Sequence, residues 1–288
     1  MDTLEAIRTR RSIRQYLARP VPQDLLQQVL TAAMYAPSAC KMSRRSSIPA
    51  LAVLFSLAIT SACLAAADAQ HEKPTRIVLV GDSTVASYPN PPQDRPDLTG
   101  WGQVFGECFN DRVTVLNHAQ SGRSTKSFMA EGLWQQALDA KGDYVFIQFG
   151  HNDSHTKDGK PIIDPETAFP DYLRQYIDQS RAAGAKPVLV TPVARRTFVG
   201  GKIHTGLQPY ADAMLKVGKE KGVPVIDLHA ASLALFGCLG AEGSADLTAS
   251  VSDRTHFSRK GARTIARLVA DALPKTVPEL EPWLKDSR

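Results

Sequence analysis

From residue 75 to residue 273, short apolar runs alternate with longer stretches in which apolar residues recur every three or four positions. The first run, Arg76-Ile77-Val78-Leu79-Val80, stops at Gly81, the pattern of a strand buried on both faces. Comparable runs occupy 113–116, 144–149, 187–190 and 223–227. Helical periodicity is clearest over 166–183, 209–221 and 259–273, and Gly184 and Gly222 supply stops for the first two. Strands alternating with helices predict an α/β domain, a five-stranded parallel sheet covered by helices on both faces. Ligands of such sheets lie at the carboxyl ends of the strands.

Upstream of residue 70 the pattern changes. Met42-Ser43-Arg44-Arg45 is followed by an uncharged run over 46–67 and then by Asp68-Ala69-Gln70-His71. A short basic region, an apolar run and small residues at its end make a secretory signal, cleaved after Ala67 or Ala69. The run is also long enough to span a bilayer as an uncleaved anchor, with Arg44 and Arg45 holding its upstream end in the cytoplasm. Cys63 makes a poor lipoprotein site, because Thr60 stands where a large aliphatic residue is expected. Before Met42, residues 4–14 are helix-like and basic, and Leu25, Leu26, Val29 and Leu30 mark one face of a second short helix. A segment of about forty residues cannot build a core of its own. The expected organisation is a 1–41 segment without independent fold, a signal peptide over 42–69, and one domain over 70–288. Removal of the signal would leave that domain secreted or periplasmic.

Hydrophobic residues form 43% of the chain and charged residues 22%, the balance of a soluble globular protein. The net charge of +5 raises the question of nucleic acid. Of 34 Lys/Arg and 29 Asp/Glu, however, eight and four fall in residues 1–69, leaving 26 against 25 beyond. No basic stripe with interleaved aromatics follows residue 70, so nucleic acid is not an expected partner. The four cysteines, at 40, 63, 108 and 238, form no CxxC pair and no Cys/His cluster, so no metal is expected. Cys108 and Cys238 either pair in an oxidising compartment or remain two thiols.

Four polar motifs sit where the sheet would present them. Gly81-Asp82-Ser83-Thr84 closes the first strand, placing Ser83 at the carboxyl edge as a nucleophile or, equally, as part of a helix cap. After the second strand, Gly122 in a polar turn can offer a backbone N–H to a reacting oxygen, or simply make an ordinary turn. Gly150-His151-Asn152-Asp153 ends the third strand, and Asn152 is either an oxyanion donor or an Asx turn. Asp253 and His256, three apart before the last helix, allow a carboxylate to orient an imidazole whose other nitrogen takes a hydroxyl proton. Each motif alone also fits capping or turn chemistry, with Ser258 as a candidate cap. All four at one sheet edge point to nucleophilic catalysis.

This set resembles the four blocks of the SGNH (GDSL-like) hydrolases, over nearly all of 76–273. The resemblance implies a flavodoxin-like three-layer αβα sandwich, Ser83 as nucleophile, His256 as base and Asp253 as its partner. It also implies an oxyanion hole from the Ser83 and Gly122 N–H groups and the Asn152 amide, with no cofactor. Gly100-Trp101-Gly102, residues 119–127 and 148–153, Thr191-Pro192-Val193-Ala194-Arg195-Arg196 and Asp253-Arg254-Thr255-His256-Phe257 are similar to rhamnogalacturonan acetylesterases. That narrower likeness implies an acetylated polysaccharide substrate, the pectin backbone, attacked outside the cell. Arg195, Arg196 and His204 follow the fourth strand, where either arginine fork would match a galacturonate carboxylate or make internal pairs. Trp101, Trp134 and Tyr210 are candidates for sugar stacking or for the core. Another esterase acting on xylan, lipid or thioesters would keep the reacting residues and change the pocket. A carbohydrate-binding relative without activity would not need the complete set.

Arg10-Arg11-Ser12-Ile13-Arg14-Gln15-Tyr16 and Ala36-Pro37-Ser38-Ala39 resemble the N-terminus of flavin-dependent nitroreductases, a likeness that stops near Cys40. A fusion scar or an over-extended start, with initiation at Met42, accounts for it; the alternative is a cytoplasmic extension.

Overall fold

The computed structural model describes residues 73–156, 159, 161–204 and 206–285, all within the second of the chain's two units, Ala69–Arg288. The expected signal segment and the nitroreductase-like stretch lie outside the described residues. The strands are β1 (Thr75–Gly81), β2 (Val113–Asn117), β3 (Tyr144–Gln148), β4 (Lys186–Val190), β5 (Phe198–Val199), β6 (Lys202–Ile203) and β7 (Val225–Ile226). The helices are α1 (Trp101–Val104), α2 (Thr125–Ala130), α3 (Leu133–Asp139), α4 (Ala168–Ala182), α5 (Gln208–Lys221), α6 (Leu228–Gly243) and α7 (Arg259–Thr276).

Five strands form one parallel sheet in the order β2-β1-β3-β4-β7, while β5 and β6 make a separate antiparallel hairpin. Alternate residues of each buried strand face opposite layers. Ile77, Leu79, Phe146 and Val190 share one core with Trp101, Phe105, Ile265 and Val269. On the other face Val78, Val80, Val145 and Ile147 share a second core with Phe128, Leu173, Tyr176 and Met214. The result is the three-layer sandwich expected from the sequence. Each fully buried aliphatic side chain contributes about 1.5–3 kcal/mol, which is why β1, flanked by a strand on each side, is apolar from Ile77 to Val80.

Beta-strand order places the site. Because β1 leads to β2 on one side and β3 leads to β4 on the other, the connections leaving the carboxyl ends of these two neighbours diverge and open a crevice there. Ser83 follows β1 and Asn152 follows β3, at that switch point. Gly81 makes the exit from β1 possible: a Cβ there would lie 2.6 Å from the Gln148 carbonyl oxygen.

Several elements differ from the pattern-based expectation. Helix α6 is apolar around its whole circumference, so it has no amphipathic signature; the Asp227 side chain starts it by accepting from the Ala230 N–H. That cap also shortens the last strand, which had been expected to reach residue 227. Trp101, Trp134 and Tyr210 are core residues with satisfied polar atoms, bonded to Gln148, Gln179 and the Ile163 carbonyl, so sugar stacking is excluded for them. Cys108 is half-buried and Cys238 exposed, both as free thiols.

Candidate active site

Ser83 is 7% exposed, and its Oγ lies 2.9 Å from His256 Nε2. His256 Nδ1 lies 2.9 Å from Asp253 Oδ2, so a hydroxyl, an imidazole and a carboxylate stand in one line. Since an ionised carboxylate only accepts, Nδ1 carries the proton and Nε2 presents its lone pair to the serine. The loop that holds this pair is local in origin. Asp253 Oδ1 accepts the Thr255 and His256 N–H groups, both at 2.9 Å, which closes the turn and aims the imidazole. Burial opposes ionisation of Asp253, but these two backbone donors and the adjacent imidazole outweigh it and hold the carboxyl below its ordinary range. Ser258 caps α7 through the Gly261 N–H, which leaves His256 free of that task.

Gly122 and Asn152 come together on the β3 side of the crevice. Gly122 has a φ of 79°, a left-handed conformation that favours glycine. Among the described residues the Ser83 and Gly122 N–H groups have no acceptor in the protein. One amide hydrogen of Asn152 reaches the Arg123 carbonyl at 3.1 Å, turning the amide towards the Gly122 turn and leaving a second donor. The turn is tied to the serine strand by the Gln120 N–H on the Gly81 carbonyl. Gly122 and Asn152 line a cavity of about 510 Å³ together with Lys126, His155 and Ile163; Ser83 and His256 are not part of its lining.

Residues 79–264 match the GDSL-like Lipase/Acylhydrolase family. The chain belongs to that family. A rhamnogalacturonan acetylesterase of Bacillus subtilis is 42% identical over 217 residues, 70% of this chain and 90% of the relative. The solved structure of the Bacillus subtilis protein YxiM superposes with a TM-score of 0.62 at 30% identity, over 70% of this chain and 57% of that one. An acetylxylan esterase of Geobacillus stearothermophilus shares the fold, with a TM-score of 0.53 at 17% identity, over 71% and 94% of the two chains. Residues 7–47 separately match the nitroreductase family. The GDSL-like domain is a carboxylic ester hydrolase.

Behind the reacting groups, this GDSL-like hydrolase carries a buried polar scaffold that the motif spacing does not reveal. Trp101 Nε1 donates to Gln148, Gln148 to Thr84 Oγ1 at 2.6 Å, and Thr84 to Asp82 Oδ1 at 2.8 Å. A glutamine at the end of an otherwise apolar strand is the one sequence signal of this hydrogen-bond relay, because a buried amide needs partners. Asp82 Oδ2 then meets His151 Nδ1 at 3.3 Å, close enough for charge attraction but misaligned as a hydrogen bond. Burial pushes the Asp82 carboxyl up, yet His151 and the Thr84 donors more than compensate and keep it low. The residue before the serine is thus paired with the residue before Asn152.

Asp153 locks the other side. Its carboxylate accepts the Thr125 N–H and hydroxyl on Oδ1 and the Gly150 N–H on Oδ2, joining the start of α2 to the Gly150–Asn152 turn. Burial pushes this carboxyl up to about 7 against the pull of those donors. A raised value in the fold means that its stabilising contribution is full below the unfolded value near 3.8 and lost as pH rises through about 7. Asp153 should therefore contribute a fall in melting temperature between pH 4.5 and pH 7.5, against the opposite contribution of His118 and His229, whose values burial lowers. Asp153→Asn should remove that fall, and an unchanged slope of melting temperature against pH would exclude Asp153 as its source.

The three residues after β4 separate in role. Arg195 Nη2 donates to the His151 carbonyl and to Ser154 Oγ, bringing its half-buried guanidinium against the Asn152 turn. Arg196 instead donates to the Ala241 and Ser244 carbonyls at the end of α6 and lies over Phe198, while its N–H bonds the Arg254 carbonyl. Its guanidinium takes the internal alternative, holding the end of α6, while its backbone N–H ties the loop that carries Asp253, which corrects its expected place among substrate contacts. His204 is exposed after the β5–β6 hairpin.

Proposed function

We propose that the protein is an exported acetylesterase that removes acetyl groups from the rhamnogalacturonan backbone of pectin. The observation that carries the chemistry is the 2.9 Å approach of His256 Nε2 to Ser83 Oγ, with Asp253 aligned behind it. Ser83 attacks the acetyl carbonyl as His256 takes its proton. The Ser83 and Gly122 N–H groups and the Asn152 amide receive the developing oxyanion, each such donor being worth about 3 kcal/mol. His256 returns the proton to the departing sugar hydroxyl, and then activates the water that releases acetate. The substrate rests on the 42% identity to a rhamnogalacturonan acetylesterase across most of that relative. The cavity beside Gly122 exceeds the needs of an acetyl group and leaves room for a sugar unit.

Acetate release from acetylated rhamnogalacturonan, compared with acetylated xylan and long-chain esters, tests this reading. Preference for either of the latter would overturn the pectin assignment. Arg195 is the remaining candidate for a galacturonate carboxylate. Arg195→Ala should raise KM for acetylated pectin by about tenfold, the order expected for a lost charged hydrogen bond, with a smaller effect on a neutral acetyl ester. Equal losses on the two substrates would exclude carboxylate recognition by this side chain.

A further inference from the structure

Asp253 has a partner outside the four motifs. Arg95 Nη1 reaches Asp253 Oδ2 at 3.2 Å, on the same oxygen that receives His256 Nδ1. With Thr255 and His256 N–H on Oδ1, the carboxylate has four donors for its roughly four lone-pair sites. We propose that Arg95 is a positioning residue of the esterase reaction, clamping the Asp253 carboxylate in the plane that presents it to His256. The inference rests on the Ser83–His256–Asp253 reading above.

Three observations distinguish this contact from an ordinary surface ion pair, which contributes little. First, the acceptor side chain is only 11% exposed and the donor 30%, so water competes weakly for the bond. Second, the arginine is held by its own turn: its N–H bonds the Pro92 carbonyl, and its carbonyl accepts the Leu98 N–H. Third, that turn is fastened to the Asp253–His256 loop and the helix after it. The Thr99 N–H bonds the Phe257 carbonyl, and Asp97 accepts the Arg259 N–H. The other edge of the guanidinium faces exposed Asp94 at 3.6 Å. Loop and guanidinium therefore act on one short segment from the same side.

Two effects of the guanidinium oppose each other. It draws charge from Asp253, which weakens stabilisation of the imidazolium, and it stops the carboxylate from turning away from Nδ1. The His256 contact is the shorter one, 2.9 Å against 3.2 Å, so the carboxylate keeps its stronger bond to the imidazole and orientation dominates. Removing the clamp should then cost rate without costing affinity for a small substrate.

Steady-state hydrolysis of 4-nitrophenyl acetate by the full chain tests this. Arg95→Ala should lower kcat about tenfold, the low end of what a charge-assisted hydrogen bond is worth, with KM unchanged. Arg95→Lys, which keeps the charge but not the fork, should recover part of the loss. In an Asp253→Asn background the Arg95→Ala change should cost little more, because the carboxylate it acts through is gone. A kcat equal to or above that of the natural protein in Arg95→Ala would overturn the proposal, as would the same tenfold loss in the Asp253→Asn background. If Arg95→Ala does not fold by circular dichroism, Arg95→Lys decides, since an undiminished kcat there overturns the proposal. Ser83→Ala separates the two levels. Inactivity there with full activity in Arg95→Ala removes only the clamp, whereas activity in Ser83→Ala removes the underlying reading.

Discussion

Replacing Ser83 with alanine is expected to reduce acetyl-ester hydrolysis by on the order of 10⁵–10⁶-fold, the scale seen when a nucleophile is removed from a serine–histidine relay. The Ser83 hydroxyl bonds His256 Nε2, and its backbone carbonyl keeps a separate bond from the Tyr88 hydroxyl. Truncation therefore deletes the reacting oxygen while leaving the backbone of the Gly81–Thr84 turn held. Thermal unfolding should consequently change little, which separates lost chemistry from lost fold. Residual activity would come from the oxyanion donors acting on a bound ester and water. The measurement is the initial rate with 4-nitrophenyl acetate beside a melting curve. A folded variant retaining more than a few per cent of the natural rate would show that the ester is cleaved elsewhere.

Asp253→Asn is expected to lower kcat by about 10⁴-fold, for a reason specific to the partners of this carboxylate. Both of its oxygens accept: Oδ1 from two backbone N–H groups, Oδ2 from His256 and Arg95. An amide of the same shape accepts through one oxygen only and sets an NH₂ against the remaining donors. If the oxygen stays with Thr255 and His256 N–H, the NH₂ confronts Nδ1 and Arg95, and the imidazole is driven to the wrong tautomer. If the amide flips, the backbone turn loses its acceptor. Either arrangement disables the base. Single-turnover kinetics with the same ester should show the loss in the acylation step, and a variant with only a severalfold defect would mean that His256 is oriented by other groups.

Much of this was legible in the chain itself. The buried strands announced themselves because residues facing two helical layers must be apolar at every position, as Ile77 to Val80 are. Ser83, Gly122 and Asn152 were legible from their places in the turns after buried strands, and Asp253 and His256 from their spacing of three before the last helix; only the set, not any one motif, pointed beyond capping and turns. Helix α6 was not legible, since apolar residues on its exposed face as well as its buried one erase the periodicity by which helices are read. Nor were the fates of the two adjacent arginines, Arg195 against the Asn152 turn and Arg196 on the end of α6.

Sequence alone thus determined the strand–helix alternation, the order of the motifs and the kinds of group available for reaction, because local periodicity and residue chemistry travel with the chain. Only the tertiary structure decided which groups meet. Arg95 and Asp253 are 158 positions apart, and Ser83 and His256 are 173 apart. Contacts of that kind depend on strand order and loop closure, which bring distant residues to the same edge of the sheet. Nothing in either residue's own neighbourhood records the other, so the clamp on the carboxylate becomes visible only once the fold has closed.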